Sequence, residues 1–394
     1  MHSVEIADRA AFASRRPPQS GLQGPVDIAD HVIAESGIRV GFDRRRGRGA
    51  ATNVSGRYEP FARSAYDDGW NSLDDLPAFR TDVQVEKPRT IITKNASPDI
   101  SFDRSVNPYR GCEHGCVYCF ARPSHAYMGL SSGLDFETKL FAKPNAAQLL
   151  EAELSKPGYE PRSIAIGTNT DPYQPIEKSW GIMREILEVL EAADHPVGIV
   201  TKSALVTRDI DILSRMAKKG LAKVALSVTT LDRTLARAME PRAATPAKRI
   251  DAVRALTEAG IPTMVMTAPI IPGLNDHEIE KLLEAAEAAG AREAGYVLLR
   301  LPLEVSPLFK EWLLRHYPNR YRHVISLLRQ MRDGKDYDAE WGKRMKGTGP
   351  YAFQIKRRFE LAAKRLGLNE TRAKLRTDLF RAPKSAAGVQ LSLL

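Results

Sequence analysis

Three cysteines set what this sequence can do chemically. Cys112, Cys116 and Cys119 are the only cysteines in 394 residues, and they fall within eight consecutive positions. An odd number packed this tightly does not make a disulfide framework and points to metal binding or redox work in a reducing compartment. Gly111-Cys112-Glu113-His114-Gly115-Cys116-Val117-Tyr118-Cys119 has C-x3-C-x2-C spacing on a loop that contains glycine. Three thiolates on one loop can hold three irons of a [4Fe-4S] cluster, which leaves the fourth iron open to a substrate or cofactor. A structural zinc site is the alternative, with His114 or His125 as its fourth ligand. Three buried small hydrophobes are the plainest reading.

Such a loop needs a scaffold, and the flanking pattern supplies one. Runs rich in β-branched residues predict strands at 163–167, 197–202, 223–228, 263–271 and 295–301, with another around 104–108 just before the cysteines. Apolar residues at three- and four-residue spacing predict helices at 180–193, 208–219, 246–259 and 276–289. This alternation reads as βα units in a parallel sheet, and six units suit an open barrel or a doubly wound sheet rather than a complete eight-fold barrel. Chemistry in such sheets gathers at the C-terminal strand ends. Residues 1–95 read as a partly irregular extension that wraps the next domain. Beyond 305 the chain is helical and basic, with 320–332 and 351–366 as the better helices.

C-x3-C-x-aromatic-C, with Tyr118 as the aromatic, resembles the motif of the radical S-adenosylmethionine (SAM) enzymes, and the set as a whole resembles their spore photoproduct lyase-like branch. The resemblance implies an α/β fold, a partial (β/α)6 TIM-type barrel over residues 96–305, with residues 1–95 as an extension and 306–394 as a basic helical segment. It implies a [4Fe-4S] cluster on Cys112, Cys116 and Cys119, with SAM chelated at the open iron and cleaved to a 5′-deoxyadenosyl radical that abstracts hydrogen from a substrate. An electron donor of flavodoxin or ferredoxin type follows as a partner. Tyr118, Lys202, Ser227 and Arg249 are the implied SAM-binding residues, with Asn169 and Asp171 near the methionyl end of SAM. Taken singly, Lys202 reads as a solvated lysine, Ser227 as a cap, and Asp171 as a turn-former before Pro172. The stretch 270–276 resembles the fifth-strand motif beside the adenine. Its plainer reading is a turn and helix cap. One departure matters: the lyase's hydrogen-donating cysteine is missing from Ile166-Gly167-Thr168-Asn169-Thr170, and Tyr173 is the nearest replacement. DNA repair is therefore not carried over.

The net charge of +10 is unevenly placed, with 20 Lys and Arg against 8 Asp and Glu in residues 307–394. Lys343, Arg344 and Lys346, then Lys356, Arg357 and Arg358 beside Phe353 and Phe359, suit phosphate contacts and base stacking. A solvated helical face covering the barrel is the blander reading. A non-catalytic zinc protein binding nucleic acid and a [4Fe-4S] electron carrier are the competing functions. Apolar runs fall short of the roughly 20 residues of a membrane helix, and Met1–Ser20 lacks the apolar block of a secretory signal, so a cytoplasmic protein is expected.

Overall fold

Short, largely buried runs make the parallel sheet of this computed structural model, which describes residues 43–59, 61 and 77–383. Among them the strands are β1 (Asp82–Val85), β2 (Ile92–Lys94), β3 (Arg104–Val106), β4 (Tyr109–Arg110), β5 (Lys139–Ala142), β6 (Ile164–Ile166), β7 (Val197–Thr201), β8 (Ala222–Ser227), β9 (Thr263–Ile270) and β10 (Glu293–Leu298). The larger sheet has the order β10-β9-β8-β7-β6-β3-β2. All its pairings are parallel except β2 with β3. Six parallel strands in chain order, with no pairing between the ends, form the expected partial barrel. A small second sheet, β1-β5-β4, braces the cysteine loop.

Helices follow the strands for the reason their spacing implies. Ile182–Ala192 buries Ile182, Met183, Ile186, Leu187 and Leu190 as one stripe against the sheet. Pro246–Glu258 starts at a Thr245 cap, with Pro246 in its first turn. The predicted helix at 180–193 breaks at Gly181, whose φ of 66° closes a separate turn over Glu177–Trp180. The predicted strand at 295–301 ends at Leu298. Leu299 and Leu301 stay apolar because they pack into a second core beneath helix Val305–His316.

The open side of the barrel is bridged by the basic segment. Leu298 N–H donates to Met345 O at 2.9 Å on the β10 side, while Gly342 N–H and Arg344 reach Asp99 at 2.7 and 2.5 Å on the β2–β3 side. At the opposite end of the strands, Arg376 N–H and Arg381 N–H donate to Gly220 O and Ala193 O. There Phe380 lies edge-on to His195 at 5.5 Å, and His195 Nε2 meets Tyr159 OH at 2.9 Å.

Burial pushes His195 down to about 4. An unfolded histidine titrates near ~6.5, so between that pH and about 4 the unfolded chain holds a proton that the native state refuses. Stability is therefore lost as pH falls through this window, and His125, also lowered to about 4 by burial, adds to the slope. His195→Gln should remove about one proton from that slope, read by denaturant melts from pH 7 to 4. An unchanged slope would remove His195 as a source.

Candidate active site

The cysteine loop follows β4 and turns at Gly115, whose φ is 66° and whose added Cβ would meet Glu137 Oε2 at 2.7 Å. Arg122, fully buried, ties the loop from behind by donating to Cys116 O at 2.9 Å, Gly115 O at 3.2 Å and Glu137 Oε1 at 2.5 Å. Gln174 clamps both sides, accepting from Glu113 N–H at 2.8 Å and donating to Gly111 O at 3.1 Å. Val117 N–H donates to Met239 O at 3.0 Å, which joins the loop to the β8 connection. The loop's shape is thus over-determined by buried groups.

Cys112, Cys116 and Cys119 all line one cavity at the C-terminal ends of the strands. Burial raises all three thiols. Among the described residues no three His, Cys, Asp or Glu side chains converge on a point that could hold a single ion. The two histidines considered for zinc are engaged otherwise. His114 Nδ1 lies 3.3 Å from Asp171, and His125 Nε2 meets Lys139 O at 2.9 Å. Three thiols of one loop lining one cavity suit a cluster in which each takes a different iron.

In the same cavity, Lys202 Nζ donates to Ser227 Oγ at 2.6 Å, Thr229 Oγ1 at 3.2 Å and Ala268 O at 3.1 Å, and lies 3.3 Å from Glu240. Lys202, Ser227, Tyr118, Asn169 and Asp171 line the cavity. Asp171 is spent on structure, however. Its carboxylate accepts from Thr201 Oγ1 at 2.6 Å, Lys202 N–H at 2.7 Å and Tyr173 N–H at 2.9 Å, fixing the β6 and β7 loops together. Gly167 allows that approach, since a Cβ there would sit 1.9 Å from Val200 O.

Two candidates lie elsewhere. Arg249 is buried behind the wall, where it donates to Ala244 O at 2.8 Å, Ser227 O at 3.0 Å and the Glu240 carboxylate, and it does not reach the cavity. Tyr173 is fully buried and donates to Asp209 at 3.1 Å, away from the site. The interleaved cations and aromatics of the C-terminal helix are also partly absorbed. Arg358 pairs with Glu280 at 2.6 Å, and Phe359 packs on Tyr296 at 4.8 Å.

Glu240 is the residue that sequence reasoning left without a role. It is 2% exposed and joins Tyr118 OH, Thr229, Lys202 and Arg249. Burial opposes its ionisation, but Arg249 and Lys202 outweigh that and hold the carboxyl well below its usual range. The signal was present as Glu240-Pro241-Arg242, without anything in the sequence to say what the carboxylate meets.

Residues 106–286 match the model of the Radical SAM superfamily. The chain belongs to the radical SAM superfamily. It is similar to an uncharacterized protein of Mycobacterium bovis, 37% identical over 230 residues that span 57% of this chain and 68% of the relative. A radical SAM Nalpha-GlyT isomerase of Pseudomonas phage M6 is 26% identical over 302 residues, 72% of this chain and 60% of its own. Spore photoproduct lyase complexed with dinucleoside spore photoproduct shares the fold with a TM-score of 0.51 at 15% identity, over 73% of this chain and 80% of that one. The radical SAM domain thus makes this protein an enzyme of that superfamily. Among the described residues no helix is long and apolar enough to cross a membrane.

Proposed function

We infer that Cys112, Cys116 and Cys119 hold a [4Fe-4S] cluster and that SAM binds in the same cavity, against Tyr118, Lys202 and Ser227. The observation that carries this reading is that three cysteines of one loop line the same cavity as Lys202 and Ser227, at the C-terminal ends of parallel strands. A reduced cluster held by these three cysteines would supply the electron for reductive cleavage of SAM, and so the radical chemistry for hydrogen abstraction from a substrate. The protein's own task is to position and to insulate. Lys202 offers a cation for a carboxylate, Ser227 orients that ammonium, and Glu240 with Thr229 fixes its distance from Tyr118. Asn169 lines the wall near Asp171, which holds the loop, while Arg249 acts through Glu240. Residues 96–305 carry the chemistry in this reading, with 1–95 as an extension and 306–394 as a basic segment, and a flavodoxin or ferredoxin type donor supplies electrons.

Anaerobic reconstitution, reduction and incubation with SAM should yield 5′-deoxyadenosine and methionine. Absence of both from protein with a full iron and sulfide complement would overturn the reading. Lys202→Ala should weaken SAM binding about 10-fold or more with the cluster spectrum intact, since a charge-assisted hydrogen bond contributes about 1.5 to 3 kcal/mol. An unchanged SAM dissociation constant would take Lys202 out of the site.

A further inference from the structure

Three guanidinium groups gather around the turn that follows β10, and they differ in their partners. Arg332 donates to Lys343 O at 2.8 Å and Leu299 O at 3.1 Å. Arg344 is held by Asp99 and by Ser97 Oγ, each at 2.5 Å. Arg300 lines the cavity and has no carboxylate within ion-pair distance among the described residues, its hydrogen-bond partner being the weak acceptor Met345 Sδ at 3.2 Å. Asp99, which acts on Arg300 only weakly, is already taken by Arg344 and Gly342 N–H. Burial pulls the Arg300 guanidinium below its ordinary value, and Arg344 pushes the same way.

The Arg300 guanidinium lies 4.2 Å from the centre of the Phe120 ring. Phe120 directly follows Cys119, yet it is 45% exposed and places this pair at the cavity mouth. The ring and the cation beside it both line the cavity, and no carboxylate of the described residues pairs with the cation there. A planar guanidinium that keeps its donors unspent matches a phosphate, and an adjoining aromatic face matches a base.

We propose that Arg300, stacked on Phe120, is a subsite for a phosphate group of a nucleotide substrate, with Phe120 as the platform for its base. The assignment rests on the reading of the cavity as the chamber for SAM and substrate. A mononucleotide and a nucleic-acid strand present the same chemistry here, and binding measurements separate them.

Full-length protein with reconstituted cluster is titrated with a labelled single-stranded oligonucleotide, and bound probe is competed with thymidine monophosphate, inorganic phosphate and a glutamate-rich peptide. Arg300→Met should weaken nucleotide binding about 10-fold or more, Arg300→Lys should restore part of it, and SAM affinity should not change. Phe120→Leu should weaken oligonucleotide or mononucleotide binding and leave phosphate competition as it was. Arg357→Met, on the exposed face of helix Gly349–Arg365, controls for general charge and should have the smaller effect. Competition by the mononucleotide at concentrations equal to the strand's per phosphate assigns the free nucleotide, and much tighter binding of the strand assigns nucleic acid. A parallel loss of SAM affinity in Arg300→Met would place the arginine in the SAM site and overturn the proposal. So would nucleotide binding unaffected by Arg300→Met, or displacement by the acidic peptide alone. The cluster spectrum and SAM affinity report on the chamber itself, so failure of that reading is seen separately.

Discussion

Cys112→Ala, Cys116→Ala and Cys119→Ala should each abolish cluster assembly, with iron and sulfide falling to background and the absorbance near 400 nm lost. Each cysteine faces the cavity, and the chain holds no fourth cysteine that could substitute. The nearest other ligand types are committed, His114 to Asp171 and His125 to the Lys139 carbonyl. The loop itself should survive, because its shape is held by Arg122, Glu137 and Gln174 rather than by metal. Circular dichroism and thermal melts of the variants are therefore expected to match the wild-type apoprotein while the chromophore is absent. Iron and sulfide at wild-type content in any single variant would sink the ligand assignment.

The distinction between loop and ligand also explains what could be read in advance. Strands such as Ile164–Ile166 and Thr263–Ile270 are legible as short apolar runs, the longer one with its β-branched Thr263, Val265, Thr267 and Ile270 at buried positions, and helices such as Pro246–Glu258 because a cap and Pro sit where the apolar spacing begins. Cys112, Cys116 and Cys119 are legible by spacing alone. Arg122 is not, because a fully buried arginine has no local signature, and its acceptors belong to three separate stretches of chain. The strands β1, β4 and β5 escape for a related reason: they are two to four residues long and depend on each other's edges rather than on their own periodicity. Arg249 is a different case. Its position after β8 places it correctly near the site, but which side of the wall it faces depends on Glu240, nine residues earlier, and on the carbonyl of Ser227.

Glu240→Ala should therefore be the most destabilising single change near the cavity outside the cysteine loop. It would leave Arg249, 1% exposed, with two carbonyls and no counter-charge, and removing one partner of a buried ion pair costs about 3 to 5 kcal/mol. Glu240→Gln keeps volume and some hydrogen bonds, so it should cost less, though Arg249 still loses its anion. Replacing both partners, as in Glu240→Gln with Arg249→Met, removes the buried charge and should recover much of the loss. The pair would then show strong coupling in a double-mutant cycle. The sign with pH follows from the carboxyl being held down: the contribution is present above the ordinary carboxylate range and disappears as pH falls through the lowered native value. Function supplies a second readout, because Lys202 lies 3.3 Å from the same carboxylate and its ring neighbour Tyr118 hydrogen-bonds to it. With Glu240 neutral, Lys202 keeps Ser227, Thr229 and the Ala268 carbonyl but loses its anion, so SAM affinity should change in the same variants. Arg249→Met alone should lower stability and move SAM affinity less than Lys202→Ala does. A stability change below about 1 kcal/mol for Glu240→Ala at neutral pH would show that the buried pair is not what holds the β8 loop against the cysteines.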